Sequence, residues 1–316
     1  MKAMVYTKYG PPDVLHLEEV EKPAAKDSEI SIKVHAASIN SYDWRHLGPD
    51  PFFLRLMGGG LLKPKHRILG ADMAGRVEAV GANVKGFKPG DDVVGDGGYG
   101  GYAEYACVDE NKFVLKPAEL TFEEAAAMPM AGLTALQGLR DKGRIQAGQR
   151  VLINGASGGV GTFAVQIAKS FGTEVTGVCR TAKMDLVRSI GADHVVDYTQ
   201  EDVTRIDQIY DLIFDVAAFR SVSKYRRILS PKGIYVLAGG SMARIFQSML
   251  ISMTGAKNMK FIGAKVKQED LLVILELMRA GQVRSIVDKR FPLSETAEAF
   301  RYFKEGRTRG KIVITV

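Results

Sequence analysis

Along the first hundred or so residues, hydrophobic and polar positions alternate in short runs broken by glycine and proline. In EISIKVHAASI, Ile30, Ile32 and Val34 fall on one face, the period-two signature of a strand, and AGRVEAVG and AEYACV continue with the same β-rich composition. The pattern predicts a β-rich first domain. At Thr121 the texture changes, because TFEEAAAMPMAGLTALQGL is rich in Ala, Leu and Glu, and Thr121 precedes Glu124 by the spacing of a capping box. A helix is predicted to start there.

The strand VLIN then leads to a helical stretch through Val160, Ala164, Ile167, Ala168 and Phe171. Strand EVTGV, helix KMDLVRSIGA, strand HVVD, strand YDLIFDV, a further helix and strand GIYVLA follow. Strands alternating with helices at this spacing imply βαβ units and a parallel, doubly wound sheet. DLLVILELMRAG and SETAEAFRYFKEG return to helical periodicity, and the closing strand KIVITV is expected to rejoin the first domain. No solenoid repeat or low-complexity linker interrupts the chain.

A length of 316 residues favours two domains, and 46% hydrophobic with 25% charged residues excludes a disordered chain. The formal charge of +7 comes from scattered Lys and Arg, which suits a basic surface that favours anionic ligands and argues against nucleic acid as the partner. Cys107 and Cys179 stand far apart without a CxxC pair, so a disulfide framework and a structural zinc lobe are not suggested, and a reducing cytoplasm fits. MKAMVYTKYG reads as a strand and not as a secretory signal, and no apolar run reaches membrane-spanning length.

The densest chemical signal is VLINGASGGVGTFAVQIAKSFG, a strand, a glycine turn and a helix in the order a dinucleotide pyrophosphate requires. Backbone N–H groups and the positive end of the helix must approach the phosphates, which side chains would obstruct. Gly158 and Gly161 hold the last two positions of GxGxxG and Ala156 the first, with Ser157, Gly159 and Val160 between them. Where an acidic residue would meet a ribose 2′-hydroxyl, about twenty residues on, EVTGVCRTAK has Cys179, Arg180 and Lys183. Cations without a competing carboxylate favour a 2′-phosphate, hence NADPH.

The ordered set AASINSYDWRHLG, LGADMAGRVEAVGANVKGFKPGDDVVG, MAGLTALQGL, GASGGVG, AGQVRSIVDKRFPL and Arg309-Gly310-Lys311 resembles the medium-chain dehydrogenase/reductase family, and within it the zinc-free quinone oxidoreductase branch that includes zeta-crystallin. The resemblance implies an α/β chain with a GroES-like β-rich catalytic domain from residues 1–121 and 267–316. It also implies a Rossmann doubly wound parallel-sheet domain from residues 122–266, and a cleft between the two. Gly70, Ala71 and Asp72 stand where the zinc-dependent alcohol dehydrogenases have Gly-His-Glu, and Asn40 stands near a cysteine ligand, so metal ligands are missing. His16, His35, His46, His66 and His194 have no ligand spacing.

Without a Lewis acid, acceptors already activated are the natural substrates: quinones or the double bond of α,β-unsaturated carbonyls. The resemblance makes Asn40 and Tyr42 candidates to orient the substrate and donate to the developing enolate, with water as the alternative proton source and simple packing as the alternative role of Tyr42. Asp43 is either a helix cap or a hydrogen-bonding partner. Thr134 is carried over as a nicotinamide contact, and Tyr198 with Arg180 and Lys183 as the 2′-phosphate pocket. Leu237 and Gly239 should border the cofactor, and Lys311 should close over it.

In GPDPFFLRLMGGGLLKPKHR, Phe52, Phe53, Leu54, Leu56 and Met57 with glycine hinges suit an apolar lid. The Met-rich stretch around Phe246 is a pocket wall, a core or dimer contact, or a peripheral membrane surface. A small apolar acceptor and a homodimer complete the expectations. Enoyl-thioester reduction is the nearest rival activity. An NADPH-binding protein with structural or RNA-binding duty is the rival from another class.

Overall fold

The computed structural model describes residues 1–48, 60, 63–239 and 258–316. Phe52, Phe53, Leu54, Leu56 and Met57 of the lid segment and the Met-rich stretch around Phe246 lie outside the described residues. Two compact units emerge: Met1–Met130 with Val266–Leu275 and Ser285–Val316, and Ala131–Lys265 with Glu276–Arg284. The break expected at Thr121 therefore falls after Met130. Helix Phe122–Ala126 packs on strands Glu29–Ser38 and Asp72–Val80, burying Ala125 and Ala126, and so belongs to the first unit. Glu276–Arg284 joins the second because Gln166 grips Arg284 through both backbone groups, at 2.9 and 3.0 Å.

The first unit is built on a seven-stranded sheet. Val287–Pro292, Lys311–Thr315, Glu29–Ser38, Asp72–Val80, Asp92–Asp96 and Phe113–Leu115 follow one another, and Tyr105–Asp109 pairs with Glu29–Ser38. Ile30, Ile32 and Val34 are all buried, as the alternation predicts, among Leu69, Met73, Tyr102, Phe113 and Phe300. The register of Glu29–Ser38 against Asp72–Val80 shifts at Ser31/Ile32 and at Val34/Ala36, and such irregularities bend a strand so that one element can serve partners on both flanks. Lys311–Thr315 runs antiparallel to Glu29–Ser38, with Val313 opposite Ser38, so the last strand does close the first unit.

The second unit holds six strands, all paired in parallel: His194–Asp197, Glu174–Cys179, Arg150–Asn154, Tyr210–Asp215, Leu229–Leu237 and Met259–Phe261. In chain order that is 3-2-1-4-5-6, the doubly wound Rossmann arrangement, whose direction of winding reverses between Arg150–Asn154 and Tyr210–Asp215. The sixth strand, three residues long, is too short to leave a periodic pattern. The helix starting at Thr121 carries its capping box, with Thr121 N donating to Glu124 at 2.9 Å and Glu124 N to Thr121 at 3.2 Å. It then stops at Ala126, and a second helix, Pro129–Gln137, begins on a proline that cannot sit inside a continuous helix.

Candidate active site

In the second unit, strand Arg150–Asn154 delivers the chain into Gly155-Ala156-Ser157-Gly158, and helix Gly159–Ser170 starts with Gly158 as its N-cap. A glycine cap leaves the first-turn N–H groups of Gly159, Val160 and Gly161 without a capping side chain in front of them, which is the geometry of a phosphate cradle. Gly161 has a packing duty as well. A Cβ there would stand 2.0 Å from Gly155 O and 2.8 Å from the Ala156 backbone, so only glycine lets the helix seat on its own turn.

The two strands that flank the reversal are tied together at their carboxyl ends. Asn154 Nδ2 donates to Asp215 at 2.7 Å, Tyr235 OH donates to it at 2.7 Å, and Ala218 N at 2.8 Å. Burial pushes the Asp215 carboxyl upward while these donors act against that shift. Sequence reasoning missed this network because its members lie on three separate strands and the loop that follows one of them.

Beyond Glu174–Cys179, Arg180 is exposed and its Nε donates to Tyr198 OH at 2.5 Å, with the guanidinium 5.9 Å from the ring centre. Lys183 sits half-buried three residues on. Asp197 directly precedes Tyr198, but its carboxylate is taken up by the hydroxyl of Thr181 and by Thr199 N and Oγ1, at 2.9 and 2.7 Å. Those bonds, the Thr181 hydroxyl first, hold its carboxyl below the usual range. Cys179 is buried, which pushes its thiol up to about 11 and makes it an inert wall. Leu237 is buried at the end of its strand, Gly239 approaches Val216 O so closely that a Cβ would lie 2.9 Å from it, and Thr134 is half-buried on its helix.

The first unit holds a buried polar cluster at the start of helix Ser41–Leu47, whose N-cap is Asn40. Asp43 accepts from Asn40 N at 2.9 Å, Gly70 N at 3.1 Å and Ala71 N at 3.2 Å. It is thus both the capping-box partner of Asn40 and the clamp on the turn that carries Ala71 and Asp72. Asp72 accepts from Asn40 Nδ2 at 2.9 Å, Met130 N at 3.0 Å and Ser38 Oγ at 3.2 Å, and pairs with Lys311 Nζ at 3.5 Å. Lys311 Nζ also donates to Asn40 Oδ1. The sequence reading put Lys311 with the cofactor, but its ammonium lies in this cluster, 3% exposed and lowered in pKa by burial.

Asp96 stands directly opposite Asp72 in the antiparallel pair and is also buried. Burial first, then the Asp72 charge, pushes it up to about 7, and burial pushes Asp43 up to about 6. With three carboxylates around one ammonium, the cluster retains a proton near neutrality. Asp96 was invisible in the sequence because only strand register sets it against Asp72.

Tyr42, on the same helix, is half-buried with its ring 4.1 Å from His46, and its hydroxyl shares a hydrogen bond with Tyr99. Tyr99 in turn stacks on His66 at 4.0 Å with the planes 12° apart, and meets His46 edge-on. Burial raises the Tyr42 phenol far above its ordinary value and lowers both imidazoles, so at neutral pH Tyr42 is a proton donor beside uncharged rings. Tyr99 is a further residue that spacing alone could not bring to Tyr42.

Two family patterns match the chain, the alcohol dehydrogenase GroES-like domain over residues 26–118 and the zinc-binding dehydrogenase over residues 190–314. A 2-methylene-furan-3-one reductase of Solanum lycopersicum is 33% identical over 99% of this chain and 79% of its own length. The chloroplastic quinone-oxidoreductase QR1 of Triphysaria versicolor is 33% identical over 99% of this chain and 98% of its own. The chain belongs to the medium-chain dehydrogenase/reductase family. Among solved members, the quinone oxidoreductase of Coxiella burnetii superposes with a TM-score of 0.88 at 29% identity, covering 100% of this chain and 99% of that one.

Within this family the positions at issue for zinc are Asn40 and Gly70-Ala71-Asp72. Ala71 has no donor atom, Asn40 offers an amide already bonded to Asp72 and Lys311, and both Asp72 oxygens are engaged. An ammonium lies against that carboxylate. This donor set does not fit catalytic zinc, which wants Cys, His or free carboxylate ligands around an open position.

Proposed function

We propose that this chain is a zinc-independent, NADPH-dependent oxidoreductase that reduces quinones or the carbon–carbon double bond of α,β-unsaturated carbonyls. The observation that carries the proposal is the glycine turn seated under its helix, with Arg180 and Tyr198 joined at the corner where the second and third strands end. Gly158 to Gly161 would hold the pyrophosphate, and Arg180, Tyr198 and Lys183 a 2′-phosphate. NADPH supplies the hydride when bound.

The chain's own task is to hold the acceptor and answer the charge that gathers on its oxygen. Tyr42 suits that task, since its phenol stays protonated at working pH and its hydroxyl is oriented by Tyr99. The names of the relatives support the acceptor class, a furanone reductase and a quinone oxidoreductase among them, beside a chloroplastic NADPH-dependent alkenal/one oxidoreductase of Arabidopsis thaliana.

NADPH oxidation followed with a quinone, an enal and a crotonyl thioester tests the reading, with metal content measured on the same sample. Turnover of quinone or enal by metal-free protein, with NADPH preferred to NADH, is the expected result. Tight NADPH binding without turnover of any acceptor refutes it, and turnover confined to the thioester selects the rival reductase.

A further inference from the structure

Phe219 is the most exposed large hydrophobic residue among the described ones, at 75%, and nothing in its local packing accounts for that. It sits on the loop after Tyr210–Asp215, at the carboxyl edge of the sheet and at the point where the strand order reverses. The loop is built to hold it there. Ala218 adopts φ +52°, left-handed backbone that a non-glycine residue rarely takes, and its N–H is fixed to Asp215 at 2.8 Å.

On the other side of Phe219, Arg220 is paired with Asp202, and Val222 is buried as the next helix begins. Ala217 lies against the glycine turn, 3.1 Å from where a Gly155 Cβ would stand. The Phe219 ring faces the Tyr198 ring at 6.4 Å between centres and 39° between planes, and the Tyr198 hydroxyl is the group that receives Arg180 Nε. A strained, doubly anchored loop thus sets an unpacked aromatic ring beside a tyrosine that carries an arginine.

We infer that Phe219 is the base-stacking residue of the dinucleotide site, taking the face of the adenine while Tyr198 and Arg180 take the 2′-phosphate on the adjoining ribose. The inference rests on the NADPH reading above and deepens it. An aromatic ring and a guanidinium that both meet Tyr198 match a flat apolar base joined to an anion, and the crevice at a strand-order reversal is where open parallel sheets bind such ligands. The anchored loop loses little freedom when the base arrives, which is what strain held at Ala218 would serve.

Titration calorimetry of the full chain tests this without any acceptor, using NADPH, NADH, 2′,5′-ADP and reduced nicotinamide mononucleotide. Stacking of one base on an aromatic ring predicts that Phe219→Ala weakens NADPH, NADH and 2′,5′-ADP alike, by roughly 10-fold, and leaves the mononucleotide unchanged. Phe219→Trp restores binding. Arg180→Ala weakens NADPH and 2′,5′-ADP but not NADH. Unchanged 2′,5′-ADP binding by Phe219→Ala overturns the inference, as does failure of the unaltered protein to bind 2′,5′-ADP. A Phe219→Ala variant that binds every nucleotide normally but loses self-association makes Phe219 a protein contact instead. The oxidoreductase reading fails by a different result, absence of acceptor reduction with nucleotide binding intact.

Discussion

Replacing Lys311 with Met leaves a buried carboxylate without its cation. Lys311 is 3% and Asp72 0% exposed, so water cannot take over the ammonium's part, and Asp96 across the strand pair adds a like charge. Ser38, Asn40 and the Met130 N–H still donate to Asp72, but none of them is charged. Removing one partner of a buried pair costs about 3–5 kcal/mol. For a domain of this size each kcal/mol moves Tm by about 2–4 °C, so a fall of roughly 6–20 °C is expected at pH 8.

The pH dependence carries the sharper test. Without Lys311 the folded-state pKa of Asp72 rises further, so the variant's stability is fullest below the unfolded carboxyl pKa of about 3.9 and is lost as pH rises through the new folded value. The deficit relative to wild type should therefore be smaller at pH 5 than at pH 8. Asp72→Asn combined with Lys311→Met should recover part of the loss, because the carboxylate paired with the ammonium is neutralised while Asp43 and Asp96 remain. Urea unfolding followed by circular dichroism at both pH values reads all three proteins. A deficit under about 1 kcal/mol, a deficit equal at both pH values, or a double variant no better than the single one would refute the reasoning.

Asp96, raised to about 7, contributes stability that is complete below pH 4 and is lost as pH rises through 7; Asp96→Asn should flatten that decline and gain on the order of 1–4 kcal/mol at pH 8, read from melts across the range. Gly161→Ala drives a Cβ to 2.0 Å from Gly155 O and should cost about 1–3 kcal/mol in a thermal melt and abolish NADPH binding, whereas Gly158→Ala, with 3.5 Å to the same oxygen, should melt like wild type. Tyr42→Phe should lower kcat by roughly 100-fold with little change in NADPH affinity, in stopped-flow and calorimetric measurements respectively.

Much of the candidate site could be read from the sequence because its signals are local. The glycine turn, the strand before it and the helix after it are consecutive, and the absence of an acid at Cys179-Arg180 needs only a count of residues. The capping box at Thr121 and the face made by Ile30, Ile32 and Val34 are likewise set by neighbours a few positions apart, where backbone geometry translates spacing into contact. Such features do not depend on what the remote chain does.

Tertiary structure decided the rest. Lys311 meets Asn40 across 271 residues of chain because the last strand pairs with Glu29–Ser38, and no spacing encodes that meeting. Asp72 faces Asp96 only through register, and Tyr42 reaches Tyr99 only through the turn that follows Asp96. Nothing in the sequence pattern singles out Phe219, and only the left-handed Ala218 and the anchors on either side reveal that it is held out. The sequence by itself determined that the chain carries a strand, glycine turn and helix of the dinucleotide-binding kind. The tertiary structure decided which charges are buried together, because their energies depend on distance and solvent exclusion between residues far apart in the chain.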